Sequence, residues 1–474
     1  MPFIANTDAD RDAMLAAVGL ERIEDLFRDV PEQHRYATLD LPEPLSELEV
    51  LREVSALADE NDHLGELASF LGAGAYRHFV PSVVDFLAGR SEFYSAYTPY
   101  QPEVSQGTLQ AIFEYQSMVA ALTGMDAANA SHYDGATATA EAVIMALNSA
   151  TGNRPGGKGP RKRVVLSPAL NPQYREVVHT YTQGMGLDIV GGDLIDHDFH
   201  TLLELVDEDT ACVVVQNPDF LGQLHSAAEM QDLADAVHAA GALLAVSVDP
   251  ISLGMFTPPG EYGVDIVMGE GQSLGNALNF GGPYLGFFAM RTADVRKSAG
   301  RIAGETVDVD GQTGYVLTLS TREQHIRRGR ATSNICTNQA LMALRACIYL
   351  AAMGKHGLRS VAEQCYHKAQ YAATRISMIP GYQIVGEKPF FKEFVVRCPA
   401  PVHVIKDYLL MEWGIVAGYD LVDDYPELGE CLLLCVTEMN TRQEIDDLVE
   451  ALASVAEMVE DMELELVREL EDVR

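Results

Sequence analysis

The feature that most limits the fold of this chain is an alternation of short apolar runs with amphipathic segments, from residue 107 to about residue 290. Runs such as ACVVVQ, ALLAVSV and VDIVM are apolar without a break, whereas the segments between them carry apolar residues at helical spacing. Strands that are apolar on both faces are typical of parallel sheets covered by helices. The pattern predicts a large α/β domain over residues 106–338, with parallel strands up to and including LGFFAM.

The regions on either side have a different character. Residues 1–105 begin with helical spacing and a capping-box pair, Ser46 and Glu49, and continue as Tyr-, Pro- and Gly-rich segments that predict ordered interface loops. Residues 339–474 predict two helices, then strands mixed with helices, and a final acidic helix opening at Thr441. This order predicts a smaller α+β C-terminal domain.

Charge and cysteine usage narrow the classes of partner. The net charge is −36, with 69 acidic and 33 basic residues spread along the chain. Such a field repels phosphate backbones and anionic headgroups, which argues against nucleic acid and membrane surfaces as partners. The seven cysteines form no CxxC pair, and the acidic N-terminus does not resemble a signal peptide. We therefore predict a cytoplasmic protein without a metal site.

Two glycine-rich segments imitate nucleotide-binding motifs. GNRPGGKG at residues 152–159 matches GxxxxGK, but Gly159 stands where a P-loop has Ser or Thr, and the segment follows a helix and precedes a strand. GEGQSLG at residues 269–275 follows a strand, but its spacing is GxGxxxG and no clear helix follows. We interpret the first segment as a surface loop, and we do not expect the second to bind a dinucleotide.

A turn and an aspartate are typical of a pyridoxal phosphate site. The turn at Asp134, Gly135 and Thr137 opens an Ala-rich helix, whose N-terminus either grips a phosphate or is simply capped by Thr137. Asp249 follows an apolar strand, where it could pair with a protonated pyridine nitrogen. The chemistry also needs a lysine after the next strand, but none occurs between Asp249 and Lys297.

One basic cluster stands out in the acidic chain. The segment TREQHIRRGRATSNICTNQ contains Arg322, Arg327, Arg328 and Arg330. Such a cluster binds a carboxylate, a phosphate or an acidic partner protein, or else it is a solvated face that balances nearby acids. The sequence leaves both interpretations open.

Long motifs in a fixed order carry a family resemblance from about residue 10 to residue 450. They include AYTPYQPEVSQGTLQAIFEYQ, DGATATAEA, VVVQNPDFLG, VDPISLG, GEGQSLGNALNFGGPYLGFFA and REQHIRRGRATSNICTNQA. Through them the chain resembles the P-protein family of the glycine cleavage system, and within it the N-terminal subunit (subunit 1) of the two-chain glycine dehydrogenase (decarboxylating).

The resemblance implies a fold, a cofactor and partners. The large domain is expected to have the fold type I, aspartate-aminotransferase-like architecture of pyridoxal-phosphate-dependent transferases. A sister subunit of the same fold is expected to carry pyridoxal phosphate on a lysine, and the pair to decarboxylate glycine and pass the aminomethyl group to the lipoyl group of the H-protein. The T- and L-proteins of the system are the further expected partners.

The resemblance also implies roles for particular residues. Gln272 falls near the position of the sister chain's lysine, and a neutral amide cannot form an imine. The loop with Tyr97, Thr98 and Tyr100 is expected to complete the sister chain's active site, with His78 as a second candidate. For each of these residues plain interface packing is the alternative.

The predicted cofactor site of this chain would then be vestigial, with Asp134, Gly135, Thr137 and Asp249 kept and the lysine lost. Three functions follow from these observations. The first is an accessory subunit that is inactive alone, and the second is a self-sufficient pyridoxal-phosphate-dependent lyase or decarboxylase with an unrecognised lysine. The third is a purely structural scaffold.

Overall fold

The computed structural model describes residues 6–36, 38–150, 160–195, 198–335 and 338–472. Its backbone forms two compact units, Met1–His63 and Leu64–Arg474. The glycine-rich segment predicted as a surface loop, residues 152–159, lies outside the described residues. The domain boundaries at residues 105 and 338 stay predictions.

The secondary structure of the described residues comprises twelve α-helices and fifteen strands. The helices are α1 (Asp8–Ala17), α2 (Glu47–Ala58), α3 (Ser82–Ala88), α4 (Gln106–Thr123), α5 (Gly135–Ala150), α6 (Pro172–Thr182), α7 (Phe199–Leu203), α8 (Ala227–Ala239), α9 (Gln324–Arg327), α10 (Ala340–Ile376), α11 (Val402–Trp413) and α12 (Arg442–Asp472). The strands are β1 (Ala68–Ser69), β2 (Ala127–Ala128), β3 (Arg163–Leu166), β4 (Asp188–Val190), β5 (Thr210–Gln216), β6 (Leu243–Ser247), β7 (Ile266–Glu270), β8 (Gly286–Met290), β9 (Ile302–Val307), β10 (Thr313–Thr318), β11 (Gln383–Val385), β12 (Glu393–Arg397), β13 (Ile415–Val416), β14 (Tyr419–Asp420) and β15 (Cys431–Cys435).

The N-terminal unit contains α1 and α2. The predicted capping box at the start of α2 is confirmed, because the Ser46 backbone N–H donates to Glu49 Oε2 at 2.8 Å and Glu49 N–H donates to Ser46 Oγ. Such reciprocal bonds satisfy backbone donors that the first turn of a helix leaves without a partner.

A seven-stranded sheet in the order β2-β8-β7-β6-β5-β3-β4 forms the centre of residues 64–474. Strands β3 to β7 are parallel, as predicted from their unbroken apolar runs. The prediction for LGFFAM is wrong, since β8 pairs with β7 in antiparallel fashion. A parallel return needs a crossover, usually a helix, and residues 271–285 form none.

A second, smaller sheet lies near the C-terminus. Its order is β11-β12-β15-β14, all antiparallel, and α10, α11 and α12 contribute apolar residues to the core around it. This confirms the α+β prediction for this region. Long helix α10 is kinked at Gly354, whose φ of 58° lies in the left-handed region that glycine tolerates. No helix in the described ranges combines the length and apolar character needed to cross a membrane.

The segment that follows β1 joins the two sheets. Strand β1 pairs in parallel with β13, and the Cys435 N–H donates to the Phe70 carbonyl at 2.9 Å. Further along, Thr437 Oγ1 donates to the Arg77 carbonyl at 2.7 Å. These bonds hold residues 70–79 against the small sheet, with Tyr76 and His78 buried.

Candidate functional site

The predicted cofactor site lies where β6 and β7 end at their carboxyl edge. Ligands of open α/β sheets bind beyond the carboxyl ends of the strands. Asp249 follows β6, Glu270 ends β7, and Lys392 enters from the start of β12 in the small sheet. We refer to this place, lined also by Tyr76 and Tyr174, as the cofactor pocket.

Lys392 is the cation of the cofactor pocket. Its side chain is 1% exposed, and its Nζ lies 2.6 Å from Asp249 Oδ2 and 3.4 Å from the centre of the Tyr76 ring. Burial is the largest single influence and acts to lower the pKa of the ammonium, but the attraction of Asp249, its hydrogen bond and the nearby Cys435 and Cys365 together outweigh it, so the pKa of Lys392 is raised. The ammonium therefore stays charged. It forms an ion pair with Asp249, the carboxylate expected to face a pyridine nitrogen.

His78 extends this charge pair into a chain of hydrogen bonds. Its Nε2 lies 3.1 Å from Lys392 Nζ and its Nδ1 lies 2.7 Å from Glu438 Oε2. Because an ammonium only donates, Nε2 accepts and Nδ1 donates to the carboxylate. Burial opposes ionisation of Glu438, but the contacts with His78 and with the Phe79 N–H lower the pKa of that carboxyl to about 2.

His78 and Glu438 also form, with Cys365, a group whose potential ligand atoms lie within 4.8 Å of one another. Both nitrogens of His78 are already used, and the Lys392 ammonium beside it repels a cation. We therefore interpret this group as part of the hydrogen-bond chain.

A second buried carboxyl ties the same segment to the small sheet. Glu393 Oε1 accepts from the Ala73 N–H at 2.7 Å, and Oε2 accepts from the Tyr76 hydroxyl at 2.8 Å. Burial raises the pKa of Glu393 to about 7 despite these donors. Loop residues 73–76 are thereby fixed over the cofactor pocket.

The turn predicted to grip a phosphate holds a carboxyl group of this chain. Glu270 Oε2 accepts from the Gly135 N–H at 2.9 Å, at the start of α5, and Oε1 accepts from the Gln272 and Leu285 N–H groups at 2.9 and 3.0 Å. Asp134 Oδ1 caps the helix by accepting from the Thr137 N–H at 2.7 Å. The N-terminus of α5 is thus supplied with acceptors by the chain itself.

Space at this turn is tight. A Cβ on Gly135 would lie 2.3 Å from the Tyr174 hydroxyl and 2.8 Å from the Glu270 N. Burial raises the pKa of Glu270 to about 8 against the effect of its backbone donors, so a proton shares the site near neutral pH.

Gln272, near the predicted lysine position, is 1% exposed and fully bonded. Its Oε1 accepts from the Tyr76 N–H at 2.8 Å, and its Nε2 donates to the carbonyls of Tyr76 and Asn276 at 3.0 and 2.6 Å. The amide therefore joins the end of β7 to the loop over the cofactor pocket.

The space left in the cofactor pocket is about 30 Å³. Ligand pockets for cofactor-sized molecules usually measure about 300–1,000 Å³, and 30 Å³ holds one or two waters. Lys392 and Glu270 take up the two ends where a ring nitrogen and a phosphate would bind. The residues of this pocket therefore do not fit pyridoxal phosphate.

The predicted Tyr97 to Tyr100 loop lies apart from the cofactor pocket lining and faces outward. Tyr97 is 72% exposed and Tyr100 is 40% exposed, with ring centres 6.0 Å apart, whereas Thr98 is buried. The Tyr100 hydroxyl accepts from Arg301 Nη2 at 2.8 Å, and its ring lies 5.6 Å from that of His325. His78, predicted with this loop, instead lies in the buried hydrogen-bond chain.

The four predicted arginines have two kinds of environment. Arg322 is half-buried and donates to the Gly300 carbonyl at 2.8 Å and to Ser298 Oγ at 3.0 Å, and burial lowers its pKa. Arg327, Arg328 and Arg330 are exposed. Arg322 is thus built into the fold, while the other three are at the surface, where Arg327 Nε donates to the Thr321 carbonyl at 3.1 Å.

Sequence analysis missed Lys392, Glu270, Glu393 and Glu438. One signal was available: Lys392 and Glu393 interrupt the apolar run PFFKEFVV at the start of a strand. Charges in such runs are seldom buried unless paired. Their partners lie far away in sequence, so their meeting place could not be read from the pattern.

Residues 1–452 match the family described as glycine cleavage system P-protein. The chain is 52% identical over 459 residues to the probable glycine dehydrogenase (decarboxylating) subunit 1 of Moorella thermoacetica, covering 96% of this chain and 100% of the relative. The protein of the same name from Thermomicrobium roseum is 49% identical over 95% of this chain and 99% of its own length.

Solved structures agree. A glycine decarboxylase (P-protein) of the glycine cleavage system, in inhibitor-bound form, superposes with a TM-score of 0.84 at 42% identity, covering 96% of this chain and all of that chain. A sphingosine-1-phosphate lyase of Burkholderia pseudomallei, with a TM-score of 0.64 at 15% identity over 93% of this chain and 99% of its own, shares the fold. The predicted fold type I class is confirmed. This chain belongs to the P-protein family of the glycine cleavage system.

Proposed function

We propose that this chain is the subunit of glycine decarboxylase that does not anchor the cofactor and that works only with a sister subunit carrying pyridoxal phosphate on a lysine. Together the two subunits decarboxylate glycine and pass the aminomethyl group to the lipoyl group of the H-protein. The observation that supports the proposal concerns Gln272, near the expected lysine position, whose amide makes its hydrogen bonds to the chain's own backbone. An amide forms no imine.

The lining of the cofactor pocket argues against the alternative of a self-sufficient pyridoxal-phosphate-dependent lyase or decarboxylase. Among the described residues, Lys392 is the single lysine that lines it. Its Nζ is paired with Asp249, the expected partner of the pyridine ring nitrogen. Lys392 therefore takes the place of the cofactor ring and is not positioned to form an imine with it.

The exposed surface between residues 79 and 104 supports a partner chain. It presents large side chains to solvent, including Phe79, Phe86, Tyr94, Tyr97 and Val104. Contiguous apolar and aromatic exposure marks interaction surfaces. Within it, Tyr97 and Tyr100 carry hydroxyl groups that would help enclose glycine in the sister site. In a separate segment, Arg327, Arg328 and Arg330 would meet an acidic partner.

The test is co-purification with the sister chain, followed by exchange of labelled carbon dioxide into glycine in the presence of H-protein. The pair is expected to be active and each chain alone inert. A visible chromophore reducible by borohydride on this chain alone would overturn the proposal. The T- and L-proteins, and the cytoplasmic location, stay predictions.

Tyrosine variants of the assembled pair distinguish a contribution to the sister site from the scaffold alternative. Tyr97→Phe and Tyr100→Phe remove only hydroxyl groups, and Tyr408→Phe, on α11, is the matched control. Loss of turnover in the loop variants alone supports a contribution to the sister site. Unchanged turnover in all three variants would favour a scaffold.

A further inference from the structure

The cofactor pocket brings ionisable side chains of this chain to both ends of the space that a cofactor would use. One end is Asp249, which suits a protonated ring nitrogen, and the other is the N-terminus of α5, which suits a phosphate. A pocket that had merely lost its lysine would leave both ends open. Neither end is open here.

We infer that this chain fills its own cofactor pocket: Lys392 replaces the ring cation at Asp249, Glu270 replaces the phosphate at α5, and the Lys392–Asp249 pair forms an ionic clamp that joins the large sheet to the small sheet.

The match of charge and place is closest at Asp249. A ring N–H and an ammonium are both cationic donors, and Lys392 Nζ lies 2.6 Å from Asp249 Oδ2. Lys392 immediately precedes β12 of the small sheet, whereas Asp249 follows β6 of the large sheet. The pair therefore bridges the two sheets, and His78 and Glu438 continue it on the small-sheet side.

At the other end, Glu270 offers two oxygens to three backbone donors, those of Gly135, Gln272 and Leu285. Backbone N–H groups at a helix start are the usual receptors of phosphate oxygens. The Tyr174 hydroxyl closes the space beside Gly135. A phosphate could enter only if Glu270 and Tyr174 both moved.

This inference goes beyond the proposed function. A chain without the lysine could still hold pyridoxal phosphate non-covalently and remain an accessory subunit. The filled pocket predicts that it does not, whatever the assembled pair does with glycine.

The clamp is tested by thermal unfolding of the full chain. Lys392→Met keeps the length of the side chain but leaves Asp249 buried without its cation, and we expect Tm to fall by about 5 °C or more. Lys388→Met is the matched control, because Lys388 lies four residues earlier and pairs with exposed Glu229 at 2.9 Å; its Tm is expected to change by less than about 2 °C. Equal shifts in both variants would overturn the clamp.

Rescue isolates the charge pair. Adding Asp249→Asn to Lys392→Met removes the unpaired carboxylate, so the double variant is expected to recover part of the lost Tm. If it is no more stable than Lys392→Met, the pair does not act as inferred.

Binding is tested on the unaltered chain, so the result does not depend on a variant that folds. Equilibrium dialysis with pyridoxal phosphate, and separately with inorganic phosphate, is expected to show no saturable binding up to millimolar concentration. Saturable binding of either probe by the isolated chain would overturn the inference and leave the proposed function intact. Failure of the assembled pair to turn over glycine would overturn the proposed function and leave this inference intact.

Discussion

The cofactor pocket and the Tyr97 to Tyr100 loop show opposite uses of polar and aromatic side chains. In the cofactor pocket, Lys392, Asp249 and Glu270 are buried or nearly so and bonded to one another or to backbone. In the loop, Tyr97 is 72% exposed. Buried charges are stable only when paired, whereas exposed aromatic groups gain stability when a partner covers them. The difference indicates that the polar groups of the cofactor pocket are satisfied within the chain, whereas the loop leaves aromatic surface exposed.

The largest expected effect comes from returning a lysine to the cofactor pocket. Gln272→Lys would place a second ammonium near Lys392 and leave the Tyr76 N–H without its acceptor, so we expect the free energy of unfolding to fall by about 3 kcal/mol. Denaturant unfolding measures this loss. Gln110→Lys, on the exposed face of α4, is the control and should change stability by no more than about 0.5 kcal/mol.

Visible absorbance of the same Gln272→Lys variant tests whether the cofactor pocket can accept pyridoxal phosphate. Because Lys392 and Glu270 fill the space, Gln272→Lys with added pyridoxal phosphate is expected to show no visible imine absorbance. The appearance of such a band would mean that the lysine alone was missing from the site.

The next effect is a dependence of stability on pH. Burial raises the pKa of Glu270 to about 8 and of Glu393 to about 7, while an unfolded Glu has a pKa of about 4.3. Between these values the folded chain holds protons that the unfolded chain has released. The stability that these two groups contribute is therefore fully present below about pH 4.3 and is lost as pH rises, up to about 7 for Glu393 and about 8 for Glu270, with a slope of about 1.4 kcal/mol per pH unit for each group.

Glu270→Gln removes one of these titrations. The slope of unfolding free energy against pH between 5 and 8 is expected to become shallower, whereas Glu457→Gln, at an exposed position of α12, should leave it unchanged. Identical slopes in both variants would contradict the assignment of the pH dependence to the cofactor pocket.

A smaller effect on stability is expected in the loop. Tyr100→Phe loses the bond from Arg301 at 2.8 Å, which is worth about 1 kcal/mol because Tyr100 is partly exposed. Turnover of the assembled pair is expected to fall by about tenfold, corresponding to about 1.4 kcal/mol in the barrier. A loss of stability without any loss of turnover would limit Tyr100 to packing.

The smallest expected effect on stability distinguishes exposed Arg330 from half-buried Arg322. Arg330→Ala should leave the unfolding free energy of the chain within about 0.5 kcal/mol but slow association with an acidic partner at low salt. Arg322→Ala serves as the contrast, because it removes the bonds to Gly300 and Ser298 and should destabilise the isolated chain. Stopped-flow association at two salt concentrations measures the first effect. Equal association rates for Arg330→Ala and the unaltered chain would remove Arg330 from the interface.

Local patterns predicted much of the fold because they report short-range physics. Unbroken apolar runs indicated strands buried on both faces, and the capping box at Ser46 marked the start of α2. The direction of β8 was mispredicted because the same apolar run suits either direction, and the connection decides between them.

The sequence by itself determined the α/β and α+β architecture, the place of Asp249 after a strand and the lack of a lysine between Asp249 and Lys297. Only the tertiary structure decided what fills the cofactor pocket, because Lys392, Glu438 and His78 come from distant parts of the chain. The partners of Lys392 and Glu438 keep both groups charged against the effect of burial, and such desolvation and pairing depend on neighbours in space and not in sequence.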